Sequence, residues 1–303
     1  LSGNQPLVDV LQESLARDEV ESKGESKKEA LRKTKVFIQN IHHFRDHYIL
    51  EDRIPLENVV IFDEAQRAWT KKQTSNFMTR KKGLDGFEMS EPEFLISVMD
   101  RHKDWATIVC LIGGGQEINT GEAGLPEWFE ALGSKYDNWK VYVSDEVTDD
   151  EYTRKEDIMS KIANNNLFIE KSLHLSMSVR SFRAESIAKF VKSILDCDFD
   201  NSKMLYNEFK DKYPIVITRD INHAKDWLRL KSRGSERFGI ISSSGAKRLK
   251  PEGLFANTGA RGAMKPSNWF LNDKNDVRSS YYLENVASEF DIQGLELDWT
   301  CVA

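Results

Sequence analysis

The chain has 303 residues, of which 40% are hydrophobic and 30% charged, and its formal net charge is −6. That balance belongs to a globular protein able to bury apolar cores and excludes a largely disordered chain, while the negative charge leaves any nucleic-acid binding to local basic patches. No apolar run approaches the roughly 20 residues that cross a bilayer and the N-terminus has no signal-peptide pattern, so a cytoplasmic location and two α/β domains are expected.

Leu1-Ser2-Gly3-Asn4-Gln5-Pro6 is turn chemistry, and Leu7, Val8, Val10, Leu11 and Leu15 then recur at helical spacing. A polar turn with no preceding Met reads as the end of an earlier strand, so the chain is expected to be truncated there. Arg17 to Lys35 is a mixed-charge tract expected to form a solvated helix end and loop. Lys35 to Leu50 predicts a helix through Val36, Phe37, Ile38, Ile41, Phe44, Tyr48 and Ile49. Its histidines, His42, His43 and His47, are expected to be ordinary surface residues and not metal ligands.

Pro55 precedes Val59-Val60-Ile61-Phe62-Asp63-Glu64-Ala65-Gln66. An apolar run that ends in two adjacent carboxylates reads as a buried parallel strand delivering acids to the carboxyl edge of a sheet, where ligands bind in open α/β folds. In nucleotide hydrolysis Asp63 would hold Mg²⁺ through its water shell and Glu64 would take a proton from the attacking water; a plain strand end with an N-capping acid is the structural alternative. Arg67 to Gly83, with Lys71-Lys72 and Arg80-Lys81-Lys82, shows little hydrophobic period and reads as a long surface loop beside the acid-bearing edge, either merely solvated or a basic loop that contacts a nucleic-acid strand. Glu91 to Asp100 predicts a short helix.

Thr107 to Ile112 is the next predicted strand, running into Gly113-Gly114-Gly115-Gln116, where the glycines permit close backbone approach to a ligand. Trp139 to Val143 predicts a strand and Asp145 to Asp157 an interdomain connection. A second α/β pattern begins at Leu167, with a helix carrying Ile187, Phe190, Val191, Ile194 and Leu195, buried strands at Ile215–Ile217 and Phe238–Ile241, and a helix over Ala224 to Leu230 between them. Ser242 to Lys250 is a small polar turn with Lys247, Arg248 and Lys250. Val286 to Ala303 gives a Gly turn and another strand, in the middle of which the chain is expected to be truncated. Cys110, Cys197 and Cys301 are odd in number and far apart, which points to reduced thiols and away from a disulfide framework or zinc site.

Taken together these stretches resemble a superfamily 1 P-loop helicase core, and more narrowly the bacterial Schlafen-type DNA/RNA helicase-like family. Leu1 to Pro6 resembles motif Ia, Asp63-Glu64-Ala65-Gln66 motif II (Walker B), Gly113 to Asn119 motif III, Leu175 to Ser181 motif IV, and Ser288 to Asp298 motif V. The resemblance implies two RecA-like lobes of mostly parallel sheet, residues 1–165 and 166–303, with ATP and Mg as cofactors and single-stranded DNA or RNA as partner. It implies Glu64, Gln116 and Arg180 as catalytic residues and Asp63 as the metal-binding one. Asp63, Gln66, Gly294 and Glu296 would contact nucleotide, and Gly3, Asn4, Lys247 and Arg248 the strand. Gly113-Gly114-Gly115 replaces the Gly-Asp that usually precedes the motif III glutamine. No Gly-x-x-x-x-Gly-Lys-Ser/Thr occurs in the chain, so the phosphate-cradling loop is expected upstream of Leu1 and the motif VI arginine beyond Ala303. A metal-dependent nuclease and a non-catalytic helicase-like binding module are the competing readings.

Overall fold

The computed structural model describes residues 1–49, 52–113, 124–148, 157–163, 165–174, 184–211, 213–256 and 264–303. Gln116 and Arg180, with the rest of 114–123 and 175–183, lie outside the described residues.

The chain opens with a helical hairpin. α1 (Gln5–Lys23) is N-capped by Asn4 and ends at Gly24; α2 (Lys27–Phe37) is N-capped by Ser26. The mixed-charge tract is therefore two helices and not a loop. Caps satisfy the free backbone groups at the helix ends, and ion pairs join charges that a linear reading sees as mere solubility: Lys27 to Glu13 at 2.7 Å across the hairpin, Lys23 to Glu19 at 2.8 Å along α1. Ala16, Ala30 and Thr34 are buried. The helix expected over 35–50 is likewise split: α2 stops at Phe37, and α3 (Ile41–Tyr48) starts afresh behind the Asn40 cap.

β1 (Val59–Phe62) pairs in parallel with β2 (Thr107–Cys110), in register from Val59 opposite Thr107 to Phe62 opposite Cys110. On the other side of β1, Ser2 forms parallel bridges to both Asp63 and Asn40, so the first residues of the chain lie as a short rung beside it. Only one face of β1 is buried: Val60 and Phe62 point into the core, whereas Val59 and Ile61 are 46% and 53% exposed. That corrects the expectation of a strand buried on both faces.

Between the strands come α4 (Lys71–Phe77), which runs directly into a π-helical turn at Met78–Lys82, and α5 (Glu91–Met99). The predicted basic loop is thus helical, with Thr74 and Met78 fully buried beneath it. α6 (Gly124–Ser134) follows β2, and β3 (Val141–Val143) pairs in parallel with β4 (Leu167–Ile169). Phe62, Leu95, Ile96, Met99, Trp128 and Phe129 are central to the N-terminal apolar cluster, against which Leu167 also packs.

Further along, α7 (Ala184–Leu195) packs on α8 (Phe199–Phe209) through Phe190, whose ring lies 5.3 Å from that of Phe209. α9 (Ile221–Lys231) then precedes a second sheet built from β5 (Phe238–Ile241), β6 (Val286–Ala287) and β7 (Trp299–Val302). The spatial order is β6-β5-β7 and every pairing is parallel. The predicted strand at Ile215–Ile217 is not formed: Val216 and Ile217 are 53% and 93% exposed, and a β-branched triplet without a neighbouring strand has no ladder to join. α10 (Pro266–Leu271) lays the fully buried Trp269 across β5, and only a glycine fits beneath it, since a Cβ on Gly239 would come within 2.6 Å of the indole. The architecture is mixed α/β with short parallel sheets. No helix among the described residues is long and apolar enough to cross a membrane.

The thiols differ in setting. Burial pushes Cys110 up to about 12, whereas Cys197 is exposed on the turn after α7. Iodoacetamide at neutral pH is expected to alkylate Cys197 faster than Cys110, which is less exposed and whose thiol stays protonated. Peptide mass mapping over a time course checks this, and equal labelling of the two in the native protein contradicts it.

Candidate active site

The carboxyl edge of β1 is where the sequence places its acids, and the backbone around it is pinned from several directions. The Asp63 amide donates to the Leu1 carbonyl at 2.9 Å, Ala65 N–H donates to the Leu111 carbonyl at 2.9 Å, and the buried Trp128 indole N–H donates to the Ala65 carbonyl at 3.0 Å. Within this frame Glu64 adopts φ 52° and ψ 49°, the left-handed region. A side chain there costs on the order of 1 kcal/mol or more and persists only where surroundings over-determine it. The turn throws the chain from β1 into a 3₁₀ turn, Ala65–Arg67, and leaves Asp63 and Glu64 half-buried at the sheet edge.

Glu64 is engaged from two sides. Arg67 Nη1 donates to its Oε2 at 3.0 Å, and Gln293 Nε2, 229 residues away, lies 3.5 Å from the same oxygen. Gln293 is held in turn by the first turn of the chain, because Asn4 Nδ2 donates to the Gln293 carbonyl at 2.7 Å. The other end of the Asn4 amide is also occupied, its Oδ1 accepting from Leu7 N–H to cap α1. Gly3, beside it, is exposed. Gly294 follows with φ 79°, and a Cβ there would meet Leu7 Cδ2 at 3.0 Å. This glycine is needed both for its backbone and for the close approach of α1.

Gln66 is buried; its Oε1 accepts a long hydrogen bond from Gly113 N–H at 3.4 Å, and its Nε2 has no hydrogen-bond partner among the described residues. Gly113 is the last described residue before the glycine-rich segment, so Gln66 sits where that segment leaves β2.

On the second sheet, the turn after β5 carries Lys247 and Arg248, both exposed, at the start of the 3₁₀ helix Lys247–Glu252. The turn is clasped by Glu289, the first residue of α11 (Glu289–Ile292): Ser244 N–H donates to Oε2 and Ser244 Oγ–H to Oε1, each at 2.7 Å. Burial pushes the Glu289 carboxyl up, but these two hydrogen bonds outweigh it and hold the group below its ordinary value. The clasp is therefore at full strength above the ordinary glutamate range and is lost as pH falls through the lowered value. A capping box between Ser288 and Asp291 stiffens α11, and its next residue is Gln293. Glu296 is exposed.

The structure thus brings Asp63, Glu64, Asn4 and Gly294 to one place and sets Lys247 and Arg248 on the turn that α11 connects to it. Arg67 and Gln293 were not singled out from sequence. Arg67 could have been, since it stands three residues after Glu64 with the opposite charge; Gln293 lies at the centre of the stretch resembling motif V, but its contact with Glu64 could not be read because that partner is remote in the chain.

Residues 1–303, the whole chain, match the family described as Schlafen group 3, DNA/RNA helicase domain. The chain belongs to this family. Comparisons with curated proteins and with solved structures found no match. Membership of the Schlafen group 3 helicase-domain family ties the chain to helicase-related function and to nucleic acid. It agrees with the family read from Asp63-Glu64-Ala65-Gln66 and Gln293-Gly294-Leu295-Glu296.

The residues at the β1 edge suit a hard divalent cation. Asp63 presents a half-exposed carboxylate beside Glu64, and Mg²⁺ is ordinarily bound through one or two carboxylates plus waters and phosphate oxygens. Among the described residues no group of three His, Cys, Asp or Glu side chains gathers to form a protein-only cage.

Proposed function

We propose that this domain serves an ATP-dependent helicase or translocase of superfamily 1 type, acting on single-stranded DNA or RNA in the cytoplasm. Its two RecA-like lobes would meet in the region of residue 165. The observation that carries the reading is the linked set Asn4, Gln293 and Glu64, in which the turn resembling motif Ia, the turn resembling motif V and the acid of motif II touch one another.

In this reading Asp63 holds Mg²⁺ through its water shell, and the bound ion supplies charge neutralisation at the phosphate oxygens. Glu64 takes the proton of the attacking water at a carboxylate oxygen. Arg67 and Gln293, both on Oε2, fix the plane of the carboxylate. Gln66 would contribute its amide to the nucleotide contacts, as the family resemblance implies. Gln116 couples nucleotide state to the strand, and Arg180 brings positive charge from the second lobe, as the family resemblance implies. Gly294 and Glu296 complete the nucleotide contacts, and Gly3, Lys247 and Arg248 touch the strand backbone.

The test is nucleotide turnover by the intact protein, with and without Mg²⁺ and with and without a single-stranded oligonucleotide. ATP hydrolysis that needs Mg²⁺ and accelerates with the strand is expected. A folded intact protein that hydrolyses no nucleoside triphosphate under any of these conditions would leave a binding module in place of a motor.

A further inference from the structure

The basic segment after Trp69 is a built platform, and its construction needs a reason. From Lys71 to Lys82 there are five Lys or Arg and no acid, in a chain of net charge −6. Such a segment is usually a solvated loop; here it is α4 and its π-helical turn, fastened to the domain by a fully buried guanidinium. Arg45, on α3, is 0% exposed. It donates from Nη1 to Glu91 Oε1 at 2.8 Å, its Nη2 faces Asp46 Oδ1 at 3.6 Å, and its planar group lies 5.3 Å from the Trp69 ring centre and 4.7 Å from that of Phe77.

Trp69 and Phe77 stand at the two ends of α4, so one cation holds both. Glu91 also accepts from Trp69 N–H at 2.9 Å, Ser75 Oγ–H donates to the Phe87 carbonyl, and Lys82 Nζ donates to Asp46 at 2.7 Å. Burying a charge costs free energy even when it is paired, and here that cost goes with holding one surface element in place. What the element displays is Lys72, Arg80 and Lys81, exposed and without an ion pair among the described residues. Beneath it opens a cleft of about 740 Å³ lined by Lys72, Thr70, Ser75 and Thr79 together with Glu127 and the Lys71–Glu88 ion pair, 3.1 Å across. Ammonium, guanidinium and hydroxyl donors on a rigid helical surface are what phosphodiester oxygens take.

We propose that α4, its π-helical turn and the cleft beneath them form a second nucleic-acid contact, binding the phosphate backbone next to the β1 edge and apart from the Lys247–Arg248 turn. The proposal rests on the nucleic-acid part of the function above and not on hydrolysis. A nucleic acid is favoured over an acidic protein by the family to which the domain belongs.

The experiment is equilibrium binding of a fluorescent mixed-sequence single-stranded oligonucleotide to the intact protein, without nucleotide, over a salt series. Replacing Arg80 and Lys81 together by Ala removes two phosphate contacts. Each contributes about −0.7 to the slope of log K against log salt, so the slope should become shallower by about 1.4 and affinity near physiological salt should fall roughly tenfold. Lys72→Glu should weaken binding in the same direction. An R80A/K81A protein with parental slope and affinity, while K247A/R248A loses both, overturns the platform and leaves the function above standing. No oligonucleotide binding by the intact protein at any salt would sink both. Displacement of the oligonucleotide by an equal length of polyglutamate at equal concentration would overturn nucleic acid as the class of partner.

Discussion

Glu64→Gln in the intact protein is expected to lower ATP hydrolysis by about 10²–10⁴ while leaving nucleotide binding in place, because the general base is lost and the shape is kept. The geometry makes this a clean substitution. A glutamine carbonyl can still accept from Arg67 Nη1 and Gln293 Nε2, the two donors now on Oε2, and the left-handed backbone at position 64 is no harder for Gln than for Glu. What disappears is the ability to take a proton. The check is single-turnover hydrolysis beside equilibrium binding of a labelled nucleotide. Hydrolysis at the parental rate would show that Glu64 is not the base, and loss of binding would show that it holds the nucleotide instead.

The largest expected loss of stability comes from Arg45→Ala. Removing one partner of a buried ion pair costs about 3–5 kcal/mol, since the remaining charge is left uncompensated. Glu91 is 3% exposed and would keep only the Trp69 amide and His42, whose Nδ1 lies 3.1 Å from Oε1. The same change empties the space between Trp69 and Phe77. Urea unfolding followed by tryptophan fluorescence measures the loss. A destabilisation below about 1 kcal/mol would mean that the guanidinium does not hold the basic platform. Replacing Arg45 by Met and Glu91 by Leu together should recover part of the loss, because an apolar pair removes the stranded charge; the Trp69 amide, left without its acceptor, limits the recovery.

Much of the sheet framework was readable because its residues carry their own evidence. Val59 to Phe62 is an apolar run stopped by two acids, Phe238 to Ile241 is a short apolar run that is buried almost throughout, and the helix from Ala184 to Leu195 carries its apolar residues at helical spacing. The failures have different physical causes. Lys71 to Lys82 lacks an apolar stripe, and its helix is held by Arg45 and Glu91 from elsewhere, so local pattern alone gives a loop. Arg17 to Lys35 folds on a local signal that a composition count passes over, the Ser26 cap and the buried Ala16, Ala30 and Thr34. Ile215 to Ile217 has strand propensity in full and no neighbour to pair with. At the site, the Asp63–Glu64 pair was legible from its position after a strand, whereas the hold of Gln293 on Glu64 depends on a contact across 229 residues.

The first helix has one further consequence. Asn4 at its start is tied to the Gln293 carbonyl, while Arg17, near its other end, donates to the Leu271 carbonyl at 3.1 Å and to Asn272 Oδ1 at 2.7 Å. Thirteen residues of helix separate the two ties, a lever of about 20 Å at 1.5 Å per residue. If the tie at Asn4 serves as fulcrum, a tilt of about 6° carries the guanidinium about 2 Å, far enough to part both of its hydrogen bonds. Small adjustments beside Glu64 are thereby magnified into making or breaking the grip on α10, and a spin label near Arg17 would register them as a measurable swing.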